Sequence, residues 1–447
     1  MGSNKNKPAG DDPNIDEVDN CKKRKSGRSR LRVKNEQLES YSFVEHEYYK
    51  KLKQSEQNNI AMLESRFKEM NEELVPLRFR IMLSEVDEKI RAIAIQKMDH
   101  LYTLCPSSGD YHKILHWIES ICKIPFNIYK ELPVKALATS TSTIGANSSP
   151  EVREFIKGIR RTMDSNVYGH TKAKDQIIRL LAQWISNPLS KGLVIGIQGA
   201  MGTGKTTLIK DAICKVLNLP FAFIPLGGAS DGSFLVGHSY TYEGSSWGKI
   251  VDVLMKTNCM NPVIFFDELD KVSTTYHGDE IINVLIHLTD ASQNEQFNDK
   301  YFSNLDFDMS RSLLIFSYNS EEKINPILKD RMVCIKTEGY TLADKVTIAQ
   351  KHIVPSLLNE FRFVPGHIVF SEDILKQIVS RVDEEQGVRN FKRALHEVVS
   401  NVNLIRLTEE VSETEAQVPI VITEKDVKKF VTSSNSGKAS ALFHMYT

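Results

Sequence analysis

The sequence contains no long apolar run and little cysteine. No apolar stretch approaches the roughly 20 residues that a membrane-spanning helix needs, and the polar N-terminus has no apolar core of a secretory signal. The six cysteines are scattered, and they form neither a C-x-x-C pair nor a cluster with the ligand spacing of zinc. We therefore expect buried free thiols, no membrane attachment, and a soluble protein of the reducing cytoplasm or the nucleus.

An excess of charge of one sign is also absent. The 447 residues include 57 Lys and Arg against 57 Asp and Glu, which gives a formal net charge of zero. A globally basic nucleic-acid-binding protein is therefore not indicated. The local exception is a dense basic run at 22–32. It fits a nuclear import signal, a tail that binds phosphate or nucleic acid, or a solvated tail without a specific role.

The most informative segment is 199–206, which is a full match to the phosphate-binding loop G-x-x-x-x-G-K-[ST]. An apolar run precedes it and helical apolar spacing follows it, as this strand–loop–helix motif requires. Its glycines let successive backbone N–H groups face one phosphate, and Lys205 adds a positive charge. The hydroxyl of Thr206 can bind Mg²⁺. The predicted nucleotide contacts are Gly199, Ala200, Met201, Gly202, Thr203, Gly204, Lys205, Thr206 and Thr207.

A second motif is the apolar strand at 263–266, which ends in Asp267 and Glu268. Asp267 is predicted to hold Mg²⁺, and Glu268 to polarise the attacking water. The alternative is a helix N-cap after a core strand, where Asp-Glu pairs are common.

Three further polar residues follow at the ends of predicted elements. Asn319 ends the apolar strand that begins at 312 and is placed to position a water beside the γ-phosphate, although strands also end in Asn for turn reasons. Arg331 can bind phosphate bidentately, from a neighbouring subunit as an arginine finger, or can pair locally with a carboxylate. Arg389 opens a helix and is either a second phosphate sensor or a solvated arginine.

The chain is long enough for two or three domains. Its composition divides it into a disordered basic tail at 1–35, a helical region at 36–130, a Ser/Thr-rich linker at 131–150, an α/β nucleotide-binding domain at 151–340, a helix-rich region at 341–432 and a tail at 433–447.

A heptad-like apolar stripe lies within the helical region. We expect it to pack on its own domain or on a neighbouring subunit, and own-domain packing is favoured. The stripe consists of Ile60, Leu63, Phe67, Met70, Leu74 and Leu77. Pro76 should end or kink this helix.

Together these motifs resemble an AAA+ ATPase and, within that group, the ATPase part of Lon proteases. The specific strings are 226–228, 237–244, 261–271, 330–332 and 387–389, and the similarity covers about 75–432. The likeness is greatest to Lon-like ATPases of large DNA viruses. It implies a P-loop parallel-sheet domain with a C-terminal helical lid, and it implies ATP and Mg²⁺ as cofactors.

The resemblance also implies roles by position. Tyr168 and Gly169 match the segment that packs on the adenine. Asn319 matches sensor 1, Arg331 the arginine finger and Arg389 sensor 2. Tyr242 matches the aromatic residue of the first pore loop and Tyr276 falls in the second, where surface packing is the alternative for both.

Two departures from the family modify the expectation. Lon proteases continue into a Ser-Lys peptidase domain and carry a β-rich N-terminal domain, and neither is recognisable here. We expect an ATP-driven motor that remodels or unfolds proteins as a ring, as a homo-hexamer, and without peptidase activity of its own. The alternatives are a nucleic-acid-dependent ATPase that uses residues 22–32, and a scaffold that binds ATP only to assemble.

Overall fold

The computed structural model describes residues 41–71, 75–131, 133, 150–186, 193–303, 305–408 and 419–431. The basic run at 22–32, nearly all of the predicted linker, the tail at 433–447 and Leu74 lie outside the described residues. Contacts divide the chain into two compact units, with the division after Phe79. Within the described ranges, no helix is both long and apolar enough to cross a bilayer.

The described part of the first unit contains α1 (Phe43–Lys51) and α2 (Gln54–Asn71). A capping box of Ser42 and Glu45 starts α1, because each residue satisfies a free backbone N–H of the other. Leu63 and Phe67 of the predicted stripe are 37% and 55% exposed. These two side chains of α2 therefore do not pack into a core of their own domain.

Three helices follow Pro76: α3 (Leu77–Leu83), α4 (Glu88–Leu101) and α5 (Gly109–Ile121). The Ser108 side chain accepts a hydrogen bond from the Tyr111 backbone and so caps α5. One face of α5 is fully buried at Trp117 and Ile118. Residues 80–131 belong to the same compact unit as the α/β domain.

The α/β domain contains seven described strands: β1 (Val194–Gln198), β2 (Phe221–Pro225), β3 (Val263–Asp267), β4 (Phe297–Asn298), β5 (Asp306–Phe307), β6 (Leu313–Tyr318) and β7 (Val333–Lys336). Five of them form one sheet in the order β2-β3-β6-β1-β7, and every pairing in it is parallel. The other two, β4 and β5, form a separate antiparallel ribbon.

The strands of the main sheet are apolar because helices cover it. Ile195 and Ile197 of β1 share one core with Ile177, Leu181 and other helical residues. The helix after the phosphate-binding loop, α8, is continuous over 205–217 and has a π-helical stretch at Leu208–Cys214. The other helices are α6 (Pro150–Asn166), α7 (Thr171–Ser186), α9 (Ser233–Val236), α10 (Lys249–Thr257), α11 (Tyr276–Thr289) and α12 (Pro326–Asp330).

The C-terminal region forms a second core of its own. It contains α13 at 342–360, β8 (Ile368–Val369), α14 (Glu372–Arg381), α15 (Arg389–Thr408), β9 (Ile420–Val421) and α16 (Glu424–Phe430). Within this otherwise helical region, β9 pairs in parallel with β8. The predicted α/β class with a parallel sheet and added helical regions is confirmed.

Candidate nucleotide-binding site

A cavity of about 250 Å³ lies where β1, β3 and β6 end, at the carboxyl edge of the sheet. Loops that leave this edge converge because parallel strands all end on the same side. The cavity brings together the phosphate-binding loop, the acidic end of β3, the end of β6 and one arginine of α15. Its lining residues are Met201, Gly202, Thr203, Gly204, Lys205, Thr206, Thr207, Asp267, Glu268, Ser317, Tyr318, Asn319 and Arg389.

The phosphate-binding loop is held by close backbone approaches. Gly202 and Gly204 have φ of 76° and 84°, a region that favours glycine. A Cβ on Gly199 would lie 1.8 Å from Oγ1 of Thr337, so only glycine fits there. The Thr203 hydroxyl donates to the Ala200 carbonyl at 2.9 Å and closes the loop on itself.

Lys205 projects across this loop. Its Nζ donates to the carbonyls of Gly199 (2.6 Å) and Ala200 (3.0 Å) and to Oδ1 of Asn319 (3.1 Å). Gly199 and Ala200 therefore lie behind the ammonium group and do not line the cavity. Burial lowers the pKa of Lys205 below its ordinary value, and the nearby carboxylates of Asp267 and Asp270 oppose that shift. A bound phosphate would favour the charged ammonium in the same way.

The acidic wall of the cavity is built on β3 and β6. Oγ of Ser317 donates to Oδ1 of Asp267 and accepts from the backbone N–H of Glu268 at 3.3 Å. Glu268 has a left-handed backbone with φ of 60° and makes no side-chain cap bond to the short helix at Leu269–Lys271. The N-cap alternative therefore does not explain Glu268. A Cβ on Gly227 would lie 2.5 Å from Oε2 of Glu268, so this glycine leaves space for the carboxylate.

Asn319 lies at the end of β6, where Asp270 fixes the turn that follows. Oδ2 of Asp270 accepts from the Ser320 backbone N–H at 3.3 Å. Asp270 is only 7% exposed, and its Oδ1 has no hydrogen-bond partner in the described part of the chain. The turn holds the amide oxygen of Asn319 towards Lys205.

Arg389 reaches the cavity because the C-terminal region touches the phosphate-binding loop. The Val388 backbone N–H donates to the Gly202 carbonyl at 3.2 Å. A Cβ on Gly387 would lie 2.1 Å from the Met201 carbonyl, so glycine permits this approach. Of the two interpretations of Arg389, a solvated arginine and a cavity residue, the geometry favours the second.

Arg331 does not line the cavity in the described chain. Its Nη2 lies 2.8 Å from Oδ2 of Asp290, and its Nη1 donates to the Ile286 carbonyl. The local ion pair considered from the sequence is thus present, with Asp290 as the carboxylate. The guanidinium retains partial exposure at the end of α11.

Tyr168 and Gly169 lie beside the phosphate-binding loop, outside the cavity lining. The Tyr340 hydroxyl lies 2.9 Å from the Thr203 carbonyl and 3.3 Å from the Tyr168 carbonyl, and it therefore ties the two segments together. Nε2 of His170 lies 2.8 Å from the same hydroxyl, and burial lowers the pKa of His170.

The two pore-loop candidates lie away from the cavity. Tyr242 stands in the loop at 237–248, hereafter the Tyr242 loop, and is 69% exposed. Tyr276 opens α11 and is 73% exposed. Neither ring is buried in a core of the described residues, and both are available at the surface.

Sequence reasoning missed Ser317 and Tyr340. Ser317 precedes Asn319 by two residues on β6, and strand alternation places both on one face, which is a signal that could have found it. Tyr340 has no such signal, because it reaches Thr203 from 137 residues away.

The residues of the cavity fit a nucleotide with Mg²⁺. The positive-φ glycines, the ammonium of Lys205 and the start of α8 form an anion cradle. Among the described residues, no cluster of three or more His, Cys, Asp or Glu could hold a metal alone. Thr206 and Asp267 would therefore hold Mg²⁺ together with phosphate oxygens, as this ion prefers.

The comparisons with known proteins agree with this geometry. Residues 195–340 match the ATPase family associated with various cellular activities (AAA). The Lon protease homolog of Acanthamoeba polyphaga mimivirus is 41% identical over 261 residues, which are 58% of this chain and 25% of the relative.

Relatives outside viruses are also similar to this chain. The peroxisomal Lon protease homolog 2 of Oryza sativa subsp. japonica is 37% identical over 246 residues, 55% of this chain and 28% of the relative. The Lon protease of Cytophaga hutchinsonii is 29% identical over 362 residues, 80% of this chain and 42% of the relative. The chain thus spans less than half the length of each of these curated relatives.

The fold and cavity define a P-loop nucleotide-binding domain. More particularly, residues 195–340 match the AAA ATPase family, and the chain is similar to the Lon proteases named above over 55% to 80% of its length.

Proposed function

We propose that this protein is an ATP-hydrolysing motor that remodels or unfolds protein substrates in a ring, as a homo-hexamer. The observation that carries the proposal is the combination of a cavity containing Lys205, Glu268 and Asn319 with the exposed ring of Tyr242 in its loop. The relatives named Lon proteases act on proteins, which supports a protein substrate for this chain.

Within the cavity each residue has a distinct part. Lys205 and the loop backbone bind the phosphates, and Arg389 adds a second positive charge from the C-terminal region. Glu268 takes the proton of the attacking water, and Asn319 orients that water. Mg²⁺, held by Thr206 and Asp267, would neutralise the charge that develops on the phosphates. Ser317 keeps the Asp267 carboxylate in place.

Arg331 is proposed to act on the nucleotide of a neighbouring subunit. Its guanidinium is absent from its own cavity and partly exposed, and its planar fork suits bidentate phosphate binding. Its bond to Asp290 would hold it ready until a neighbour's nucleotide competes. This part of the proposal requires the ring.

Tyr242, with Tyr276, is proposed to grip an extended polypeptide in the axial pore. A tyrosine offers a large contact area at low entropic cost and does not require a particular sequence in its partner.

The test of hydrolysis is Glu268→Gln. We expect ATP turnover to fall by at least about 100-fold while ATP binding is retained, because the amide keeps the shape of the side chain but cannot take the proton. The matched control is Glu322→Gln, an exposed carboxylate outside the cavity. Retained turnover in Glu268→Gln would overturn the role of Glu268.

The test of the substrate compares the ATPase rate with casein, an unfolded protein, against the rate with DNA at the same salt concentration. We expect stimulation by casein and loss of that stimulation in Tyr242→Ala. Stimulation by DNA alone would favour the nucleic-acid-dependent alternative. Gel electrophoresis of the casein in the same reaction checks the expectation that no peptide bond is cut.

A further inference from the structure

We propose that helices α4 and α5 position the Tyr242 loop, with Lys97 as the main positioning residue, so that the helical region controls how protein substrate is engaged. The inference rests on the proposed function of Tyr242. Helices α4 and α5 contribute no residue to the lining of the nucleotide cavity.

The base of the Tyr242 loop is closed by its own backbone. The His238 backbone N–H donates to the Ser246 carbonyl at 3.2 Å. Gly237 has φ of 71°, and a Cβ there would lie 2.7 Å from the Gly248 nitrogen. The Gly248 N–H in turn donates to the buried carboxylate of Asp299 at 2.8 Å. The two ends of the loop are thus fixed to each other.

The first flank of the loop is held by α4. Nζ of Lys97 donates to the Tyr240 hydroxyl at 3.0 Å. The same ammonium lies 4.1 Å from the centroid of the Tyr240 ring and 4.7 Å from that of Trp117. A cation between two aromatic rings is attracted by both, and more strongly when water is partly excluded. Lys97 therefore joins α4, α5 and the loop at one point.

The second flank is held by α5. The ring of His116 stacks on that of Trp247, with centroids 5.4 Å apart and an interplanar angle of 19°. Nδ1 of His116 lies 2.7 Å from the Tyr301 hydroxyl. Between the flanks, Nζ of Lys113 donates to the Thr241 carbonyl at 3.1 Å.

The helices are themselves fixed to the α/β domain behind the loop. The buried indole N–H of Trp117 donates to the Tyr301 carbonyl at 3.2 Å, and its ring packs on Phe302. The contacts of α4 and α5 with the loop reach Thr241 on one side of Tyr242 and Trp247 on the other. The exposed tip around Tyr242 therefore projects in a direction that the two helices set.

The experiment uses Lys97→Met, which removes the charge and keeps most of the side-chain length. Lys89→Met, at an exposed position of the same helix, is the matched control. We expect basal ATPase within about twofold of the wild type, and a casein concentration for half-maximal stimulation that rises about tenfold in Lys97→Met alone. In Lys97→Arg the casein concentration for half-maximal stimulation should lie close to that of the wild type, because arginine keeps the positive charge.

A second set of variants tests whether Lys97 acts by positioning the Tyr242 loop or by stabilising the fold in general. Lys97→Met combined with Tyr242→Ala should be no worse than Tyr242→Ala alone, because Lys97 acts through that loop. Tyr240→Phe removes the hydroxyl but keeps the ring, and it should give a smaller rise than Lys97→Met.

The outcomes are distinguishable. Normal casein stimulation in Lys97→Met, with stimulation lost in Tyr242→Ala, overturns the inference and leaves the proposed function standing. Normal stimulation in Tyr242→Ala contradicts the proposed function and, with it, the inference. A parallel loss of basal ATPase and thermal stability in Lys97→Met would make Lys97 a structural residue and also overturn the inference.

Discussion

The nucleotide cavity and the Tyr242 loop belong to one compact unit but are held in different ways. The cavity is built where adjacent parallel strands end, and all of its lining residues except Arg389 lie at those strand ends or in the segments that follow them. The Tyr242 loop is held by side chains of α4 and α5, and Lys97 is 143 residues away from Tyr240 in the chain. The chemistry is therefore local to the sheet edge, whereas the direction of the loop depends on another region.

This difference implies that the two functions are separable. A change in α4 or α5 alters contacts of the Tyr242 loop and none of the residues that line the cavity. A change in the cavity leaves the anchors of the loop in place. The predictions below test that separation from both sides.

The largest effect is expected for Lys205→Met. Loss of the ammonium should lower ATP binding and turnover by at least about 100-fold, since it removes the charged group that faces the phosphates. Lys210→Met, at an exposed position of α8, is the control. Titration with a fluorescent ATP analogue and phosphate release measure the two quantities. Turnover above about a tenth of the wild-type rate would contradict the assignment.

The next largest effect is expected for a substitution that distorts the Tyr242 loop and leaves the cavity unchanged. Gly237→Ala and Gly244→Ala both introduce a Cβ at a positive φ, 71° and 72°, but only at Gly237 does that Cβ meet backbone atoms. We expect casein stimulation to fall about tenfold in Gly237→Ala and less than about twofold in Gly244→Ala, with normal basal ATPase in both. Equal losses in the two variants would mean that backbone strain alone matters.

A smaller effect is expected for Arg389→Ala, in which the cavity loses the positive charge that the C-terminal region contributes. The apparent affinity for ATP should fall roughly tenfold, as for loss of one charge-assisted contact. Arg393→Ala, one turn further along α15 and exposed, serves as the comparison. An unchanged affinity would favour the interpretation of Arg389 as a solvated arginine.

The smallest effect concerns Asp299 under the Tyr242 loop. Burial raises its pKa to about 6, although backbone N–H groups of Gly248, Tyr301 and Phe302 oppose the shift. The folded protein then binds more protons than the unfolded chain between about pH 4 and 6. The Asp299 contribution to the free energy of unfolding should therefore rise by about 1 kcal/mol from pH 7 to pH 5.

Asp299→Asn removes this titration. The thermal midpoint of the wild type minus that of the variant should be larger at pH 5 than at pH 7, because only the wild type gains stability as Asp299 binds a proton. Asp306→Asn, at an exposed position of β5, should give the same difference at both values. A pH-independent difference for Asp299→Asn would show that the carboxylate does not titrate in this range.

The structure brings several of the predicted site residues together for a physical reason. The phosphate-binding loop, Asp267 with Glu268, and Asn319 each follow an apolar strand, and parallel strands bring their carboxyl ends together. Ser317 was within reach of the same reasoning, because it lies on β6 two residues before Asn319, which follows that strand. The apolar stripe of α2 was a weaker guide, since heptad spacing does not say what covers a helix, and Leu63 and Phe67 are exposed.

The sequence by itself thus determined the parallel sheet, the phosphate-binding loop and the acidic wall, because each is a contiguous pattern with a fixed geometry. The tertiary structure decided that Arg331 pairs with Asp290, that Tyr340 ties Tyr168 to Thr203, and that Lys97 and His116 hold the Tyr242 loop. Most of these contacts join residues far apart in the chain, and all of them depend on single side chains. Such contacts leave no periodicity or spacing that can be recognised before the chain is folded.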